Sequence, residues 1–324
     1  MLVRPLGGPL GPYHTLLIRY TQLDVIRPRH LTLAALLGAT VAFAQMGPPR
    51  PFSTPEVKLI EAGSEPRQKL RYDNAKDAGI DKLETFDVAA GGWWSIQMPD
   101  NSAMRVFPII QTPIKAARGV TGIGVEFLAP TTVEVRDGGF PDPGMLEVLK
   151  GLDGVAGWVP TDDHGAPTGL ALHPGPKDTK FAANKRDIEM RSAMGIEVAR
   201  GLLTRLTVPF PLEPLGKHAR WDVRRYVNRG QVQYEEIAHF ELIDFSKGIA
   251  TVTMKFGGAQ LADGPYRAGE LDLFVDGTGE AKVDLRRPLP LSWSDSVDIN
   301  ATMHSLNGLK AQHKGHLTTR EQMR

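Results

Sequence analysis

Apolar and polar residues alternate in short runs through most of this chain, the period expected of strands with one buried face. Phe86, Val88 and Ala90 share a parity before the turn signal Gly91-Gly92, and Val106, Pro108 and Ile110 share the next. Ile123, Val125 and Phe127 follow, then Val133 and Val135 ahead of Asp137-Gly138, a hairpin-type dipeptide. Two further short strands are predicted around Val155 to Pro160 and Thr168 to His173. Beyond Trp221 the alternation is nearly continuous. Val232, Tyr234, Ala238, Phe240 and Leu242 hold one parity, interrupted by Glu236, and Ile237 interrupts the polar parity. Ala250, Val252, Met254 and Phe256 form another face; Leu271, Leu273 and Val275 run into Asp276-Gly277, read as a turn, with Val283 and Leu285 in the returning strand. Leu291, Trp293, Val297, Ile299, Ala301 and Met303 close the set, and Asn228-Arg229-Gly230 and Ser246-Lys247-Gly248 supply turns. From Ser305 the alternation fades, which predicts a flexible tail over 305–324.

Two stretches carry a helical period instead. Asp142-Pro143 places an N-cap before a proline suited to the first helical position, opening a short helix to about Leu149 that Gly151 ends. The longer helix spans Ile188 to Leu206, about five turns. On it Met190, Met194, Val198 and Leu202 step by four, flanked by Ile188, Gly195, Ala199, Leu203 and Leu206 in a broad apolar stripe. Such a face packs on a sheet core or, methionine being adaptable, lines an apolar cavity. Pro209, Pro211 and Pro214 then carry the chain back toward the sheet, with Trp221 anchoring the first returning strand. The predicted fold is α+β: a large curved antiparallel sheet or half-open β-barrel covered by one short and one long helix.

The amino-terminal segment changes how the charge is read. Arg27, Pro28, Arg29 and His30 precede an apolar run of 14 residues, Leu31 to Ala44, ending in Ala42-Phe43-Ala44. That is the shape of a secretory signal peptide over 25–44 cleaved after Ala44, and it is shorter than the roughly 20 apolar residues of a membrane-spanning helix. Residues 1–24 fit badly in front of it, so the expected start lies near Val25. Residues 45–66, with Pro48, Pro49, Pro51 and Pro55, read as a tether, and 67–304 as a single β-rich domain in two halves, 67–187 and 188–304. The whole chain of 324 residues has a net charge of +1. Leaving out residues 1–44 removes four arginines and one aspartate, so 34 basic and 36 acidic residues remain, a net charge of −2. No nucleic-acid partner is expected of such a balance, and no membrane span after cleavage. There is no cysteine, which removes disulfides, thiolate metal sites, a thiol nucleophile and the lipid-modified cysteine of a lipoprotein. The expected location is periplasmic or extracellular.

Searches for chemistry return little. There is no Gly-x-Ser-x-Gly elbow and no His-Glu-x-x-His pair. Gly122-Ile-Gly124 lacks a third glycine and lies in a strand pattern, and Gly216-Lys217-His218 lacks the rest of a phosphate loop. Glu235 and Glu236 are adjacent, so a strand sends them to opposite faces, unlike a glycosidase pair. Asp162-Asp163-His164-Gly165 reads as a turn before it reads as a metal site, and His313 and His316 lie in the predicted tail. Trp93-Trp94 suits either a ligand platform or a core or turn aromatic pair. No catalytic, metal or cofactor residues are assigned, and no cofactor is expected.

The run PFPLEPLGKHARWDV resembles a motif of an uncharacterised family of exported bacterial β-rich proteins, in which a "PLPxEPxG" segment precedes an aromatic that begins a long antiparallel sheet. VKLIEAGSEPRQKLRY is similar to the opening of the same group, and AGELDLFVDGTGEAKVDLRRPLPLSWSDS looks like its closing strands. The resemblance implies secretion and fold, and carries no functional residues. In outline the layout is also similar to the periplasmic lipoprotein-carrier half-barrel, whose concave apolar face is covered by helices. That analogy implies an exported, non-catalytic envelope protein holding an apolar small molecule, such as a lipid or acyl chain, under Met190, Met194, Val198 and Leu202. The alternative is a structural or interaction module with a filled core and an envelope protein as partner; a hydrolase assembled from scattered residues stands third.

Overall fold

A computed structural model of the chain describes residues 53–73, 83–98, 101–129, 132–134, 151–175, 193, 195–196, 198–204, 206–229, 232–261, 271–304 and 310–324. They belong to one compact unit, Pro49–Arg324. Among them are thirteen strands: β1 (Glu56–Glu61), β2 (Glu84–Met98), β3 (Asn101–Gly119), β4 (Gly122–Phe127), β5 (Thr132–Glu134), β6 (Ala156–Pro160), β7 (Ala171–His173), β8 (Arg220–Arg229), β9 (Val232–Ser246), β10 (Ile249–Gln260), β11 (Leu271–Asp284), β12 (Ser292–His304) and β13 (Lys310–Met323). All pair antiparallel in one open sheet, ordered β1-β8-β9-β10-β11-β12-β13-β2-β3-β4-β6-β7, with β5 beside β3. One helix, α1, is described over residues 193 to 204 and packs against this sheet. The large antiparallel sheet with a covering helix is the architecture that the alternation and the Ile188–Leu206 stripe predict. The short helix expected over Pro143–Leu149 lies outside the described residues, as does the turn at Asp137-Gly138.

The alternation has the predicted cause. Trp221 and Val223 of β8, Tyr234, Ala238 and Phe240 of β9, Val252 and Met254 of β10, and Val297 and Ile299 of β12 lie in one buried cluster. Ala199 and Leu203 of α1 and Leu206 just beyond it join that cluster, so the helix covers the face the strands bury. Trp221 stacks on Phe240 at 5.4 Å between ring centroids and donates its indole N–H to the Pro209 carbonyl at 2.9 Å, anchoring the returning chain. Extended segments tie this side together: Gln68 bridges Leu215, Tyr72 N–H donates to Asp163 O at 2.8 Å, and Phe210 N–H donates to His164 O at 2.8 Å.

Four expectations change. Asp276-Gly277 is no turn; β11 runs straight through it, because Gly277 lies against β12 where a Cβ would come within 2.5 Å of Ser296 O. Gly91-Gly92 likewise sits inside β2, at a register shift between Ala90 and Gly92. The stretch read as a tether contributes β1, which pairs with β8 from Glu56 opposite Arg224 to Glu61 opposite Arg220. The predicted flexible tail holds β13, an interior strand paired with β12 on one side and β2 on the other. Its inward positions include Gly315, Thr319 and Glu321, so the burial is real but the apolar signal is missing.

Candidate functional site

On the buried face of the sheet, residues of α1 lie in one cluster with strand residues from both halves of the chain. Of the four side chains predicted to form an apolar cover, Val198 and Leu202 are half-buried and pack against the core cluster. Met190 and Met194 lie outside the described residues.

Three polar groupings interrupt this apolar face. In the first, Arg225 of β8 and Glu236 of β9 sit directly opposite each other in register. Arg225 donates from Nε and Nη2 to Glu236 Oε1 at 2.9 and 2.6 Å, and from Nη1 to the Thr204 carbonyl at 2.6 Å, at the end of α1. Glu236 therefore breaks the apolar parity of β9 because it balances a buried cation that holds the helix terminus, whose last carbonyls lack intrahelical donors.

In the second, Arg118 of β3 lies 4.2 Å above the centre of the Tyr72 ring. It donates to the carbonyls of Arg287 at 3.0 Å and Pro288 at 3.2 Å. Tyr72 donates its hydroxyl proton to Val208 O at 3.1 Å. Burial drives the phenol well above its ordinary range, opposed by the Arg118 charge, and the Asp162 and Glu321 carboxylates lie close enough to push the same way as burial. Burial also lowers the Arg118 guanidinium, opposed by Tyr72. Together these bonds fasten the segment before β2 to β3, to the loop after β11 and to the chain leading into β8.

The third lies on β12 and β13. Trp293 donates its indole N–H to Asp295 Oδ2 at 2.6 Å. Trp293 is paired with Glu321 and Asp295 with Thr319, and all four side chains are buried. Among the described residues neither carboxyl oxygen of Glu321 has a hydrogen-bond partner. Burial raises its pKa well above the ordinary carboxylate range. Sequence reasoning missed this residue because it sits in a strand whose inward positions are too polar to read as one. The remaining signal was the parity Gly315, Leu317, Thr319, Glu321, Met323, which only the pairing with β12 and β2 makes legible.

The other residues singled out in the sequence have these places in the fold. Asp162 Oδ1 accepts the N–H groups of His164 at 3.0 Å and Ala166 at 2.8 Å, the side-chain cap of a turn. Glu235 faces away from Glu236, with Arg224 3.7 Å from it. Gly122-Ile-Gly124 is part of β4. Trp93 and Trp94 lie mid-strand in β2, opposite His316 and Gly315 of β13. His239 meets Asp222 at 2.7 Å and His304 meets Asp272 at 2.7 Å, each across neighbouring strands, and in neither pair are both side chains buried. His316 pairs in the same way with Asp298 at 2.8 Å. These solvent-side pairs are worth little individually, on the order of 0–1 kcal/mol. Among the described residues no three His, Asp or Glu side chains converge as metal ligands would, and no helix is long and apolar enough to cross a membrane.

A scan against protein-family models finds no match to the chain, and a search of curated proteins finds none either.

Proposed function

We propose that this chain is an exported, non-catalytic envelope protein that holds an apolar ligand, such as a lipid or acyl chain, between its sheet and α1. The observation that carries the reading is the architecture itself. An open sheet cannot shield its apolar face by closing on itself, so the shielding falls to α1 and the extended segments laid across it. The signal-peptide pattern ending at Ala44 supports export to the periplasm or beyond, as does the resemblance carried by PFPLEPLGKHARWDV. With no cysteine, lipid anchoring through that residue is ruled out. Native mass spectrometry of the protein purified from its own envelope tests the ligand: a bound lipid released on activation is expected, and a mass equal to the bare chain counts against it.

A second reading has its own support. Ala199, Leu203 and Leu206 are fully enclosed in the same cluster as the sheet residues, as in a filled core. Under it the protein is a structural or interaction module whose partner is another envelope protein. Crosslinking in the intact envelope, giving a discrete heteromeric product with no co-purifying lipid, is its expected result.

A further inference from the structure

A carboxyl group at the centre of a sheet, buried and with no partner for either oxygen, is costly to the fold. Glu321 is such a group: it lies on β13 between Trp293 of β12 and Val88 of β2, 3 % exposed, with neither Oε1 nor Oε2 partnered among the described residues. The contrast with Arg225–Glu236 is instructive, because there the same face buries a carboxylate together with the cation that balances it. Asp295 sits on the same face one pair along the β12–β13 ladder, a diagonal neighbour of Glu321 at about 7–8 Å between backbones. Its Oδ2 is held by the Trp293 indole, which fixes a second acid beside the first. Thr319, also buried, lies opposite Asp295. Two acids and a hydroxyl thus share a small area of this face, where Tyr72, under the Arg118 guanidinium, also lies close enough to feel the Glu321 charge. Departures from the local rule of an apolar interior concentrate where a site needs them.

We propose that Glu321 is the polar anchor for the ligand of this face, and that the ligand is an apolar chain ending in a basic nitrogen. A basic head fits better than an acidic one, because the carboxyl oxygens of Glu321 and Asp295 can accept hydrogen bonds from an ammonium and would repel a second carboxylate. A buried amine takes the Glu321 proton and pairs with the resulting carboxylate in charge-assisted hydrogen bonds, so no charge is left uncompensated. An alcohol head of equal chain length forms only neutral hydrogen bonds there.

This assignment rests on the reading of the face as a ligand site, and the experiment separates the two. Displacement of N-phenyl-1-naphthylamine fluorescence is measured with dodecylamine and with 1-dodecanol on the full chain, at low and at raised salt. Dodecylamine is expected to bind at least tenfold more tightly than dodecanol, with a preference that survives salt because the pair is buried. Glu321→Gln, which keeps the side-chain shape, is expected to abolish the preference and retain dodecanol binding, and Glu321→Asp to keep part of it. Equal binding of the two probes to the wild-type protein overturns the anchor and leaves the ligand site standing. So does an amine preference that salt removes or that Glu321→Gln leaves intact. Failure of both probes to bind overturns the ligand site as well.

Discussion

Arg225 places two of its nitrogens on a single oxygen of Glu236 while a third reaches the Thr204 carbonyl at the end of α1. The pair thereby joins two strands and the covering helix, and both side chains are almost completely removed from water. A buried ion pair gives up so much hydration that its net contribution can be small, yet removing one member strands the other. Glu236→Ala is therefore expected to lose about 3–5 kcal/mol of stability in urea unfolding, and Arg225→Met a similar amount. The double variant Arg225→Met/Glu236→Leu should recover much of that loss. Additive losses in the double variant would show that the two residues act independently.

β13 lies between β12 and β2, so the strands before and after the crossover meet through residues 310–323. Ending the chain after residue 304 is expected to abolish the single sharp unfolding transition and the near-ultraviolet circular dichroism of the buried tryptophans. A shortened chain that unfolds like the full one would contradict an interior position for β13.

Gly92 lies on β2 where it passes β13, and a Cβ there would stand 1.9 Å from the His316 carbonyl oxygen. The Gly92 and His316 backbones are both held in the β2–β13 ladder, so neither can move aside cheaply. Gly92→Ala should lower stability by about 1–3 kcal/mol, read from the urea midpoint at constant slope. An unchanged midpoint would mean the two strands are farther apart than the register requires.

Glu321 binds its proton more readily in the folded chain than in the unfolded one, because burial penalises the carboxylate. Its contribution to stability is then fully present below about pH 4, the unfolded range, and is lost as pH rises through the folded pKa. Glu321→Gln should consequently be more stable than wild type at pH 7, with the difference shrinking toward pH 4. Comparing variant with wild type isolates this group from Tyr72, Arg118, Asp162 and Asp295 around it. A difference of the opposite sign, or one independent of pH, would exclude an unpaired buried acid.

Much of the fold was legible from the chain alone, because one-faced burial imposes its period wherever the inward residues are apolar. The strands built on Trp221, Phe240, Val252 and Val297, the helix ending near Leu206 and the crossover through Pro209 could all be read that way. Reading failed where inward positions carried something else. Glu236 looked like a flaw in β9 until Arg225 and Thr204 supplied its partners, and Gly277 looked like a turn until β12 was seen against it. β13 looked like a tail because its inward positions are held by residues such as glycine, threonine and glutamate.

By itself the sequence determined the class of element along many of the described strands, since that depends on local periodicity. The tertiary structure alone decided that β13 sits between β12 and β2, that β1 joins the edge at β8, and that Glu321 and Asp295 share one buried wall. The reason is physical. Strand order and the burial of a polar group depend on partners far away in the chain, and no local pattern of residues encodes which partner arrives.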